Sequence, residues 1–150
     1  STMIFTVNLS SIQDWQRLFD RLADVLRPGM ILALSGPLGA GKTTCTQELL
    51  AWLNGRVHAK SPTFALLRVY PVERAPFQRL VHIDAYRLER PEDAQVLALE
   101  EELEQSGTLA VIEWPERMTE SLLRHAERTI WITITPTETE ERVVTVEYRG

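Results

Sequence analysis

The eight residues Gly36 to Thr43, GPLGAGKT, match the pattern G-x-x-x-x-G-K-[ST] and stand between an apolar run and a helical pattern. The run before them, Met30 to Leu34, reads as a buried strand. The stretch after them, Thr44 to Leu53, carries Leu49, Leu50 and Leu53 at helical spacing. In a strand, glycine loop and helix of this kind, the loop turns its backbone N–H groups inward and the helix aims its partially positive end at the same spot. The spacing therefore predicts a cradle for a polyphosphate. Gly36, Leu38, Gly39, Ala40 and Gly41 supply its backbone, Lys42 would reach the β and γ phosphates, and Thr43 offers a hydroxyl to Mg²⁺. Thr44 closes this cofactor-binding set and serves the helix start. The expected cofactors are ATP and Mg²⁺, with ATP favoured over GTP because the chain has no Asn-Lys-x-Asp guanine reader.

With 150 residues, 44% hydrophobic and 25% charged, the chain reads as one domain, 1–150, with ordinary soluble usage. Ser1 and Thr2 precede Met3 and read as residues added ahead of the native start. No apolar stretch approaches the ~20 residues that span a bilayer, and the N-terminus has no basic region followed by an apolar core. The expected location is cytoplasmic, with no membrane contact. Cys45 is the only cysteine, which excludes an intramolecular disulfide and a cysteine metal cluster; it reads as a small packed residue. A net charge of −5 and only two lysines, Lys42 and Lys60, argue against a large nucleic-acid surface. Glu100, Glu101, Glu102 and Glu104 read as the solvated face of a helix.

Element types alternate along the chain. Phe5, Val7 and Leu9 alternate as a strand. Ser10 or Ser11 then caps a helix through Leu26 on which Trp15, Leu18, Phe19, Leu22 and Leu26 keep helical spacing, with Pro28 and Gly29 as its stop. Phe64 to Tyr70 and Leu80 to Asp84 read as an antiparallel hairpin around a turn with Pro71 and Pro76. Pro91 opens a further helix that Gly107 closes before the buried run Leu109 to Ile112. A helix from Glu116 to His125 precedes Thr129 to Thr135 and Val143 to Tyr148, which read as a closing hairpin. The resulting class is α/β: a P-loop NTPase-type mixed sheet with helices on both faces and β-hairpin additions.

Nucleotide-hydrolysing folds of this kind place an acid at the carboxyl end of a buried strand beside the loop. Asp84, after Leu80-Val81-His82-Ile83, and Glu113, after Leu109-Ala110-Val111-Ile112, both satisfy that rule. Position alone equally suits a helix cap or a solvated charge. One of the two would hold Mg²⁺ while the other aligns water, and the residues do not say which. Trp114 and Pro115 follow Glu113 as an aromatic wall and a rigid stop.

GPLGAGKTT at 36–44, SPTF at 61–64, HIDAYRL at 82–88 and IEWPE at 112–116 resemble, in order and spacing, the bacterial ATPase subunit of the tRNA threonylcarbamoyladenosine machinery, the TsaE or YjeE family. The resemblance runs from about Leu9 to about Pro136. It implies a small Mg²⁺-dependent P-loop ATPase with SPTF as a first switch and HxDxYR as a second. Carried over, Lys42 and Thr43 bind phosphate and metal, Thr63 lies near the γ phosphate, Asp84 and Glu113 are the functional acids, and Trp114 lies beside them as a further cofactor-binding residue. It also implies partners of the TsaD and TsaB type, the threonylcarbamoyl transferase subunit and its paralogue, with tRNA involved indirectly. The chemistry on adenosine 37 of tRNAs reading A-starting codons would take place on the partner, while this chain acts as a docking and reset switch. The chain departs from the family at Pro37, where an acid is frequent; proline lacks an N–H and so loses one contact to loop or phosphate. Two rival readings remain, a nucleotide-gated binding module with negligible turnover and a small-molecule phosphotransferase.

Overall fold

A computed structural model describes residues 2–55, 67–88 and 94–150, with the side chains of Arg87 and 94–97 excepted. The segment 61–64 with Thr63, and the helix start at Pro91, lie outside the described residues. A seven-stranded mixed sheet runs in the order β1-β7-β6-β2-β5-β4-β3. Its centre is parallel: β2 (Ile31–Ser35) lies between β5 (Thr108–Glu113) and β6 (Thr129–Pro136), and β4 (Phe77–Asp84) pairs with the far side of β5. The flanks are antiparallel hairpins. β3 (Leu67–Arg74) pairs with β4 on one side, and β7 (Arg142–Tyr148) joins β6 to β1 (Met3–Leu9) on the other. Pro71 falls within β3, an edge strand, where its missing N–H faces away from the ladder.

Alternation along the central strands sends side chains to two cores. Leu32, Leu34, Leu80, Leu109 and Val111 pack with α1 (Ile12–Leu22) and α2 (Lys42–Trp52) on one face. Ile31, Ala33, Val81, Ile83, Ala110 and Ile112 pack on the other with Leu99 and Leu103 of α3 (Ala94–Leu103) and Leu122 of α4 (Thr119–Arg124). Helices on both faces explain why all six residues of β5 are buried and why its sequence is continuously apolar up to Glu113.

The first helix starts where the sequence predicts and ends earlier. Ser11 accepts the Asp14 N–H at 3.2 Å while the Asp14 carboxylate accepts the Ser11 N–H, a reciprocal capping box. Bonds from Ser10 and Ser11 hold the Asp14 carboxyl below its usual range. Regular helix stops at Leu22 rather than Leu26, where the chain tightens into a turn as the Val25 N–H bonds Leu22 O; the Leu26 N–H also reaches Leu22 O, so its side chain stays in the core, and Pro28 disfavours helical geometry at Arg27 beyond it. The expected helix from Glu116 to His125 is also divided. Pro115–Met118 forms a tight 3-10 turn, and α4 begins only after Met118, whose backbone (φ −126, ψ 30) leaves helical geometry. The acidic residues of α3 are not all solvated: Glu102 pairs with Arg79, and Glu100 lies 3.5 Å from Arg124.

Candidate functional site

The carboxyl ends of β2, β5 and β4 lie side by side, and the chain leaves β2 there as the Gly36–Thr43 loop. Gly36 passes so close to β6 that a Cβ would come within 2.5 Å of the Ile134 carbonyl oxygen. Gly41 ends the loop at φ +116, a backbone that side chains rarely tolerate, and is the N-cap of α2. That helix has neither a side-chain cap nor an acid in its first turn. Its N-terminal dipole therefore faces the loop uncompensated, as anion binding requires.

Lys42, the first residue of α2, is turned inward and 5% exposed. Its Nζ donates to Gly36 O at 2.5 Å and Pro37 O at 2.9 Å, and lies 4.0 Å from the centre of the Trp114 ring. Pro37 thus serves the loop through its carbonyl, which also accepts the Ala40 N–H. Burial holds the Lys42 ammonium below the ordinary lysine range, while Glu113, Glu116 and Asp84 pull it back up.

One turn on, Thr46 Oγ1 lies 3.1 Å from Lys42 O and 3.3 Å from Glu113 Oε2. His82 Nε2 lies 2.5 Å from the same carboxylate oxygen. An ionised carboxylate only accepts, so Nε2–H is the donor, and His82 Nδ1 is left buried with no partner among the described residues. Glu113 is 5% exposed, with two side chains from different elements within hydrogen-bond distance of its Oε2. Asp84 stands in register with Glu113 on the adjacent strand and is half-buried; its Oδ1 accepts the Tyr86 N–H and caps the 3-10 turn Ala85–Arg87. The two acids thus share a strand end while differing in environment, Asp84 taking the capping role as well.

Together these groups are carried by the loop, α2, β4 and β5, four elements joined at one edge of the sheet. A family profile described as "Threonylcarbamoyl adenosine biosynthesis protein TsaE" matches residues 9–144. The chain belongs to the TsaE family. It is 38% identical over 109 residues to the tRNA threonylcarbamoyladenosine biosynthesis protein TsaE of Rickettsia bellii, covering 72% of each chain. It is 43% identical over 102 residues to that of Streptomyces coelicolor, covering 68% of each, and 33% over 121 residues to that of Mycobacterium tuberculosis, covering 78% of this chain and 72% of the relative. The fold matches the crystal structure of Bacillus subtilis YdiB with a TM-score of 0.72 at 24% identity, over 100% of this chain and 88% of the other.

In this TsaE-family chain Trp114 adopts a left-handed backbone (φ 59, ψ 53), uncommon for a bulky residue, which turns its ring under Lys42 and to 4.9 Å from that of Tyr86. Thr43 and Thr44 are exposed at the start of α2. A cavity of about 300 Å³ opens beside Gly41, walled by Ser10, Ser11, Trp15, Thr44, Glu140 and Arg142. Cys45 is fully buried; burial, with Glu113 and Glu48, pushes its thiol up, which keeps it inert. Sequence reasoning missed Thr46 and Arg142. Thr46 was findable, since a residue four positions after Lys42 lies on the same helix face. Arg142 gives no local signal, because its contact with the loop spans 102 positions.

Proposed function

We propose that this chain is a Mg²⁺-dependent ATPase that assists threonylcarbamoyladenosine formation on tRNA as a nucleotide-driven switch. The observation that carries the reading is the convergence of an inward Lys42, an uncapped α2 N-terminus and a pinned Glu113 at the carboxyl edge of β2, β4 and β5. That edge is where open α/β sheets bind ligands. The loop amides from Gly36 to Gly41 would hold the phosphates, with Lys42 exchanging its two carbonyl partners for phosphate oxygens and Thr63 approaching the γ phosphate. The cavity beside Gly41 has room for a nucleoside.

Thr43, Asp84 and Glu113 form the metal-binding set of this reading. One hydroxyl and two carboxylates are hard oxygen donors, and no group of three His, Cys, Asp or Glu converges among the described residues. Such a partial shell suits a cation that takes its remaining ligands from phosphates and water. When bound, Mg²⁺ would offset charge on the β and γ phosphates. His82 and Thr46 occupy Glu113 Oε2, which leaves Oε1 for the metal shell or for orienting water. In this reading the site works as one domain in the cytoplasm, with proteins of the TsaD and TsaB type as partners and tRNA met through them.

The parked position of Lys42 on its own loop favours a second reading, a nucleotide-gated docking module with negligible turnover. Phosphate release from ATP with Mg²⁺, alone and with partners of the TsaD and TsaB type, separates the two. Partner-stimulated release that Lys42→Ala abolishes is the expected result. ATP binding without release under either condition transfers the assignment to the docking module, and a fully active Lys42→Ala protein removes the site.

A further inference from the structure

The guanidinium of Arg142, at the start of β7, has carbonyl oxygens as its hydrogen-bond partners. Nε donates to Ala40 O at 2.9 Å, and Nη1 to Thr139, Glu140 and Glu141 O at 3.3, 3.1 and 3.2 Å. The turn beneath it is itself tied: Thr137 Oγ1 donates to Glu141 O at 2.7 Å and accepts the Thr139 N–H at 3.2 Å. Arg142 therefore hangs from an ordered turn and grips the loop in the peptide just before α2. A trans peptide points its C=O and the following N–H in opposite directions. Drawing Ala40 O toward the β6–β7 turn thus fixes the Gly41 N–H facing away from that turn.

Glycine at 41 makes this hold necessary. At φ +116, and with no Cβ to restrict it, the Ala40–Gly41 peptide has no conformational lock of its own. We propose that Arg142 is a positioning residue for nucleotide binding: it presets the Ala40–Gly41 peptide so that the loop meets phosphate already formed, and its side chain walls the adjoining cavity. Lysine cannot replace it, since one ammonium lacks the planar fork that serves the turn and Ala40 together. This inference rests on the nucleotide-binding reading given above.

The test compares wild type, Arg142→Lys, Arg142→Gln and Arg142→Ala by ADP titration calorimetry, urea unfolding, and amide hydrogen exchange of residues 39–43 without nucleotide. Both Arg142→Lys and Arg142→Gln are expected to weaken ADP binding about tenfold, with faster exchange of the Ala40 amide, which the intact loop bonds to Pro37 O, and a nearly unchanged unfolding midpoint. Added methylguanidinium is expected to restore binding to Arg142→Ala. ADP affinity within about twofold of wild type in both variants overturns the proposal, as does a loss of binding that merely tracks a loss of folded protein. If wild type binds no ADP or ATP, the nucleotide reading fails by itself. Exchange still decides the role of Arg142 in that case, and an unchanged Ala40 rate would end it.

Discussion

His82 Nε2 and Glu113 Oε2 lie 2.5 Å apart across the seam between β4 and β5, with the two side chains 1% and 7% exposed. His82 stands in register with Val111, so Glu113 is its diagonal neighbour on the same face of the sheet. A carboxylate this buried needs its donors, and only His82 and Thr46 supply side-chain ones among the described residues.

His82→Leu leaves Glu113 buried with one donor fewer and should cost about 1–3 kcal/mol, read from the urea unfolding midpoint. His82→Gln keeps an N–H in reach and should recover part of that loss. Equal destabilisation by both variants would show that ring packing, and not the hydrogen bond, is what matters at this position.

Gly36→Ala places a methyl 2.5 Å from the Ile134 carbonyl oxygen, a backbone atom that no side-chain rotation can move aside. Loop and β6 must separate, at a cost of about 1–3 kcal/mol. Gly39→Ala meets nothing within 4 Å, although its φ of +78 still carries strain, and should cost less. Thermal unfolding of the two variants side by side checks the order.

The parts of this fold that were legible in the sequence are those set by local pattern. The alternation of Phe5, Val7 and Leu9, the continuous run before Glu113 and the loop between Leu34 and Thr44 each report their own burial, and the mixed sheet follows from them. Helix ends leave a weaker mark in the pattern. Trp15 to Leu26 keeps helical period past Leu22 because a turn can bury Leu26 as effectively as a helix does. The acids and the lysine that converge at the candidate site are legible in the sequence, but what fixes them is not. The His82 to Glu113 bond depends on strand order, and the Arg142 to Ala40 bond on a hairpin folding back beside the loop. Neither relationship exists until the sheet is assembled.

His125 gives a pH dependence whose sign is fixed. Burial and the neighbouring Arg128 hold its imidazole below 6.5, with Arg124 adding and Glu100, 3.6 Å away, opposing. The unfolded chain then takes up the proton first as pH falls, so stability is lost from about pH 6.5 downward, until the folded pKa is passed. Carboxylates contribute their own acid loss, so the informative quantity is the difference from His125→Asn. The wild type should lose more stability than the variant between about pH 7.5 and 5.5; parallel curves would remove His125 as the source.

Thr46 has one hydroxyl proton and two acceptors, Lys42 O at 3.1 Å and Glu113 Oε2 at 3.3 Å. When His82 is present, Oε2 is already served and the proton can remain on the helix carbonyl. When His82 is replaced by Leu, Oε2 has no other side-chain donor among the described residues, and the proton is worth more there. The two positions should therefore couple. Thr46→Val in the His82→Leu background should cost more than in the wild type, with a coupling of about 0.5–3 kcal/mol. A double-mutant cycle of urea unfolding energies measures it directly, with Thr46→Ser as the control that keeps the proton. Strict additivity would mean that Thr46 bonds its own helix only, and that His82 alone holds Glu113.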